Sequence, residues 1–133
     1  NVVQSDWNRL MFVPIDLTYK HLFSREDQSI LRDLDRPELE TLCQIIDFYY
    51  DAYRDRFRGR YIPLHDPLAA AVAVGDVDVE TVTQGQVTVC VDRGERRGQT
   101  TLSPATDGTI NVVSTVDRQC ARVVVDTLAA NWR

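Results

Sequence analysis

The stretch YIPLHDPLAAAVAV, Tyr61 to Val74, sets a histidine, an aspartate and a proline directly ahead of a run of small apolar residues. Histidine changes charge near neutral pH, with a reference pKa of about 6.5, and can act as a general acid. A carboxylate beside it suits a hard cation such as calcium. Asp66-Pro67 also has the form of a helix start, with Asp at the N-cap and Pro at the first helical position. Two readings follow. In one, Asp66 only caps, His65 is a loop histidine, and LAAAVAV is a helix buried on nearly all sides. In the other, the capping carboxylate keeps one oxygen free for a cation, and His65 projects from the loop at the same rim. A metal ligand and a general acid then stand side by side where a loop meets a helix start, which is where open α/β sheets gather ligands. One carboxylate cannot hold calcium, which takes roughly 6–8 oxygens. Asp76 and Asp78 lie at the far end of the apolar helix, on the order of 10 Å away at ~1.5 Å per residue, and read as solvent-facing. If Asp66 binds a metal, most other ligands come from sequence not present here.

The elements that must position this pair read as follows. RLMFVPIDL, Arg9 to Leu17, is an apolar run that suits a buried strand, with Pro14 pointing to an edge or a bulge. Ser24, followed three positions later by Asp27, starts a short helix to about Leu34. Pro37 suits the first turn of the next helix. That helix carries Leu39, Leu42, Ile46, Tyr49 and Tyr53 on one face and should end near Gly59. VDVETV and QVTVCVDR alternate as half-buried strands. GERRGQTTL turns the chain back into a β-hairpin with a longer loop, and SPATDG is a surface loop. TINVVSTV is a strand, and Asp117 can cap a final helix with Cys120, Val123, Val124 and Leu128 on one face. The fold class is α/β, an open sheet with covering helices.

The 133 residues suffice for one domain, and the 44% hydrophobic fraction is that of a globular chain. A net charge of -5 argues against nucleic acid or an anionic membrane surface as partners. Arg54, Arg56, Arg58 and Arg60 are interleaved with acids and aromatics, as on a solvated helix end. The three cysteines, Cys43, Cys90 and Cys120, are far apart, which argues against a disulfide framework or a zinc site. Each has apolar neighbours, so a buried free thiol in a reducing cytoplasm fits. No stretch reaches the ~18 apolar residues of a membrane span, and no signal peptide is visible. The chain opens on Asn1 and its one Met is Met11, so it reads as a piece of a longer product.

PLHDPLAAAVAV resembles the HDP(x)A helix start of the inosine–uridine preferring nucleoside hydrolases. Three further segments are similar to that family in the same order. FVPIDLTYKHLFSRED is similar to its strand with a DVT-type ending, IIDFYYDAY to its aromatic helix, and VTVCVDRGERRGQTT to its G-x-x-x-RG-x-T hairpin. The resemblance runs from about Leu10 to Trp132. It implies an α/β fold with a mainly parallel sheet and cleavage of the N-glycosidic bond of ribonucleosides by a calcium-bound water. By matched position it implies His65 beside the base as candidate acid, Asp66 as a calcium ligand, and Tyr49 and Tyr53 bordering the base. The tyrosines also suit core or subunit packing. Family members are commonly dimers or tetramers. The aspartate cluster of DxDxxxDD form that supplies most calcium ligands and the catalytic base has no counterpart here, nor has the asparagine-rich ribose-binding segment. Residues 1–133 therefore read as the C-terminal part of one such domain, beginning inside a helix at NVVQSDWN and inactive alone.

Two rivals stand beside this reading. Helical HD-type phosphohydrolases share the dipeptide but need a second metal-binding histidine. The only other one here is His21, in a strand-to-helix connection, and the later half is strand-rich. The second rival is a non-catalytic accessory or interaction domain derived from the same fold.

Overall fold

The computed structural model describes residues 2–5 and 10–132. After a 3-10 turn, Val2–Gln4, the elements in chain order are β1 (Leu10–Phe12), α1 (Ile15–Thr18), β2 (Leu22–Ser24), α2 (Arg25–Arg32), α3 (Pro37–Ala52), α4 (Arg54–Phe57), β3 (Tyr61–Pro63), α5 (His65–Val74), β4 (Val79–Val89), β5 (Thr100–Pro104), β6 (Ile110–Val116) and α6 (Cys120–Asn131). A four-stranded sheet has the order β1-β6-β4-β5, and β2 and β3 form a separate pair. The mixed α/β class and the open sheet are as the sequence implies. The sheet is not mainly parallel within these residues: β1 and β6 run parallel, whereas β6–β4 and β4–β5 are antiparallel. The β4–β5 pair is the expected hairpin. The two alternating stretches before it are one strand of 11 residues with a bulge near Thr81, because the ladder to β6 over Val79–Gly85 runs straight on into the ladder to β5 over Gly85–Val89.

Local signals explain several boundaries. Ser24 and Asp27 form a reciprocal capping box at the start of α2, and Pro37 occupies the first turn of α3. Elsewhere the structure departs from the sequence pattern. The run Leu10–Leu17 is not one strand: β1 stops at Phe12, and α1 begins just after Pro14, whose ring removes a ladder donor. Arg9 lies outside the described residues, as do Asn1 and residues 6–9 of the expected leading helix. Helix α3 ends at Ala52, and the short helix α4 carries the chain on to Arg58, whose left-handed φ of 55° breaks it before Gly59. The buried stripe of α3 is Leu39, Cys43 and Tyr50, one position out of step with the expected one at its C-terminal end. Gln28 makes the difference by donating to the Cys43 carbonyl at 2.8 Å, which pins α2 against that face.

The core joins Phe23, Leu31, Tyr50, Leu68, Val77, Val113, Cys120 and Val125, so it lies between the sheet and the helices α2, α3, α5 and α6. Helix α6 buries Cys120, Ala121, Val125 and Ala129, with Val123, Val124 and Leu128 only half-buried. Its N-cap is Gln119. Asp117, expected to cap, instead accepts from the Asp78 amide at 2.8 Å and ties the start of β4 to the end of β6. Cys43 and Cys120 are buried free thiols as expected, while Cys90 is half-buried. Burial pushes the Cys120 thiol up to about 11. Among the described residues no helix is long and apolar enough to cross a membrane.

Candidate active site

Helix α5 starts two residues earlier than Asp66-Pro67 suggests. Its first residue is His65 and its N-cap is Leu64, with no side-chain cap bond. Asp66 is therefore not the cap. The entry is fixed by backbone: the Leu64 amide donates to the His21 carbonyl at 3.1 Å, extending the β2–β3 pairing, and the Leu64 carbonyl accepts the Leu68 amide. Pro67 still sits in the first turn, where a missing N–H does no harm. The Asp66 carboxylate is exposed and has no hydrogen-bond partner among the described residues. An acid in the first turn is stabilised by the positive helix end. The helix itself is not buried on nearly all sides. Leu68 and Ala71 are buried, while Ala69, Ala70, Ala73 and Val74 are exposed, because α5 packs chiefly on α6 and α1.

His65 is held from α1. Its Nδ1 lies 2.6 Å from the Thr18 hydroxyl, and its ring packs edge-on against Tyr19 with centroids 5.2 Å apart. Tyr19 in turn carries the Arg56 guanidinium over its face at 4.1 Å and lies 6.2 Å from the Phe57 ring. Phe57 is 6.0 Å from Tyr53. A continuous row of rings thus links the end of α3, α4, the end of α1 and the start of α5. Tyr49 is half exposed and stands edge-on to the more exposed Phe48. Because α1 follows β1 directly, Thr18 and Tyr19 sit just beyond the carboxyl end of a parallel strand.

A cavity of about 460 Å³ has Tyr49, Tyr53, His65 and Asp66 in its wall, together with aliphatic side chains including Leu42, Ile46 and Leu128. This size suits a small organic ligand, and the lining is mostly apolar with a few polar groups in it. The four residues singled out in the sequence thus share one cavity. Thr18, Tyr19 and Arg56, which fix His65, were not legible. Thr18 is 47 positions from its partner, and only the DLT ending of the first strand hinted at it. Tyr50 was also missed. It is fully buried, donates to the Phe23 carbonyl at 3.5 Å, and its phenol is pushed up by burial, which makes it structural.

The described residues contain no group of three or more His, Cys, Asp or Glu side chains able to hold a metal ion. Asp66 alone falls far short of the roughly 6–8 oxygens calcium takes, so these residues do not by themselves fit a calcium ion. His21, the second histidine, is buried against α6 and takes no part in the cavity. It offers no paired metal site with His65, and the strand content excludes the all-helical phosphohydrolase scaffold.

A family model for inosine-uridine preferring nucleoside hydrolases matches residues 1–127. A purine-preferring ribonucleoside hydrolase from Gardnerella vaginalis superposes with a TM-score of 0.74 at 28% identity, over 91% of this chain and 40% of its own. A plant nucleoside hydrolase superposes with a TM-score of 0.75 at 24% identity, over 92% of this chain and 42% of its own, a likeness of fold. The chain spans about two fifths of the length of these structures. No curated protein sequence matches it significantly. The family match runs through the whole His65–Asp66 region and the superpositions share its α/β architecture, so this chain belongs to the inosine-uridine preferring nucleoside hydrolase family.

Proposed function

We propose that this chain is the C-terminal part of a nucleoside N-ribohydrolase that cleaves purine and pyrimidine ribonucleosides to base and ribose. The observation that carries the reading is the shared cavity: an imidazole, a free carboxylate and two tyrosines converge on one apolar hollow within a chain of this family. A nucleoside needs both kinds of wall, flat aromatic faces for the base and polar groups for the sugar and the leaving nitrogen. In this proposal Tyr49 and Tyr53 border the base. His65 gives the departing base a proton or a hydrogen bond, which lowers the cost of its leaving as an anion. Asp66 offers its unpartnered carboxylate as one ligand of a calcium ion, and the remaining ligands come from outside the 133 residues. The complete enzyme is a calcium-dependent, cytoplasmic dimer or tetramer. The exposed apolar face of α5, Ala69, Ala70, Ala73 and Val74, supports a further surface packing there.

The test is ribose release from inosine and from uridine, with and without calcium. The 133-residue chain alone should release none, and robust calcium-dependent turnover by it would overturn the incompleteness of the site. The full-length product should turn over both nucleosides, and its His65→Ala variant should lose turnover on purine nucleosides by ~10²-fold or more, the range of a lost general acid. Unchanged purine turnover removes His65 from the reaction. A full-length product with no turnover on any nucleoside leaves a non-catalytic interaction domain as the function.

A further inference from the structure

The Thr18 hydroxyl makes two contacts, 3.0 Å to the Ile15 carbonyl and 2.6 Å to His65 Nδ1. A hydroxyl has one proton to give, whereas its oxygen can accept. The carbonyl can only accept, so the Thr18 proton belongs on Ile15 O. The opposite arrangement would send the proton to the imidazole and leave two oxygens facing each other at 3.0 Å with no hydrogen between them. Both contacts are satisfied only when His65 Nδ1 carries a hydrogen and donates it to Thr18. Thr18 is itself 2% exposed, which leaves little room for water at its hydroxyl. No hydrogen bond to His65 Nε2 is found among the described residues.

We propose that Thr18 is a positioning residue that holds neutral His65 as its Nδ1–H tautomer, so that any hydrogen bond or proton His65 exchanges with a nucleobase passes through Nε2. Tyr19, packed edge-on against the ring, keeps the imidazole from turning over and exchanging its nitrogens. This assignment builds on the base-side role of His65 argued above, but its geometry is independent of turnover. His21 supplies an internal contrast. Its Nδ1 accepts the Cys120 amide at 3.3 Å, so neutral His21 must be the Nε2–H tautomer. The chain's two histidines are therefore held in opposite tautomers.

The experiment is a long-range ¹H–¹⁵N spectrum of the imidazole rings of the ¹⁵N-labelled chain. It is recorded at about pH 8.5, well above the reference imidazole pKa of about 6.5. His21→Asn removes one ring and assigns the other. The expected result is an Nδ1–H pattern for His65 and an Nε2–H pattern for His21. Thr18→Val keeps the shape and removes the hydroxyl, and His65 should then shift toward the Nε2–H pattern, while Thr18→Ser should keep the original one. An Nε2–H pattern for His65 in the unsubstituted chain overturns the proposal, whatever the variants do. So does an unchanged His65 pattern in folded Thr18→Val. Because the spectrum is read without turnover, a chain that releases no ribose but shows these patterns separates this assignment from the proposed activity.

Discussion

His21 joins two helix starts that the site depends on. Its ring nitrogen accepts the Cys120 amide, the first N–H of α6, and its carbonyl accepts the Leu64 amide immediately ahead of His65. The ring is buried, and burial together with the Lys20 charge holds its pKa below the ordinary imidazole value. Asp117 and Arg118 line the same surface hollow but are paired to each other at 2.7 Å. For a base with a lowered folded pKa, the unfolded chain binds the proton more readily. The stability His21 contributes is therefore fully present above about pH 6.5 and is lost as pH falls below that value toward the folded pKa. Once protonated, Nδ1 can no longer accept, a cap worth about 1 kcal/mol is gone, and a positive charge faces the positive end of α6. The prediction is that acidification from pH 8 to 5.5 lowers the urea midpoint of the native chain more than that of His21→Asn, whose amide oxygen can accept but does not titrate. With a slope of ~2 kcal/mol per molar urea, 1 kcal/mol corresponds to a difference of about 0.5 M. Urea unfolding followed by far-ultraviolet circular dichroism reads it directly. If the two midpoints fall in parallel over that interval, the buried, accepting His21 is wrong.

The neighbouring tyrosines of α3 should separate stability from binding. Tyr50→Ala removes a fully buried ring and should cost ~3–5 kcal/mol in urea unfolding, whereas half-exposed Tyr49→Ala should change stability by about 0.5 kcal/mol or less. In the full-length product, Tyr49→Ala should instead weaken purine nucleoside binding by ~1–3 kcal/mol, measured as KM or Kd, and an unchanged KM would take Tyr49 away from the base. In the hairpin, a Cβ on Gly85 would meet the Ser103 carbonyl and the Leu102 side chain, and Gly108 closes on the Gly85 backbone. Gly85→Ala should therefore cost ~1–3 kcal/mol and loosen the β4–β5 pairing, seen as faster amide exchange there. Unaltered exchange would mean the strands separate freely.

Much of the local structure was legible because its causes are local. The Ser24–Asp27 box, Pro37 at a first turn, the alternation that reads as strand within Val79–Val89, and the strand-forming run Ile110–Val116 each act within a few residues. The stripe on α3 was legible only in part. Period alone favours Tyr49 and Tyr50 almost equally, since both flank the same apolar row. The choice was made by Gln28 of α2 donating to Cys43 and by Arg25 lying over the Tyr50 ring at 4.3 Å, contacts spanning 15 and 25 positions of sequence. Asp66 misled for a similar reason. Asp-Pro favours a cap, but the Leu64 amide was already committed to the His21 carbonyl, and that tertiary bond started the helix earlier.

The sequence by itself determined the types of group in the candidate site and their order: the imidazole–carboxylate pair at Leu64–Pro67, the tyrosines four apart on α3, and an α/β frame around them. Those are properties of composition and short-range periodicity, which a chain carries before it folds. Only the tertiary structure decided that Tyr49, Tyr53, His65 and Asp66 share one cavity, that Asp66 keeps its carboxylate free, and that Thr18 and Tyr19 govern the His65 ring. Each of these depends on residues tens of positions apart meeting at angstrom distances. Such meetings are set by packing the whole core, and hydrogen-bond direction is then fixed by which atoms arrive.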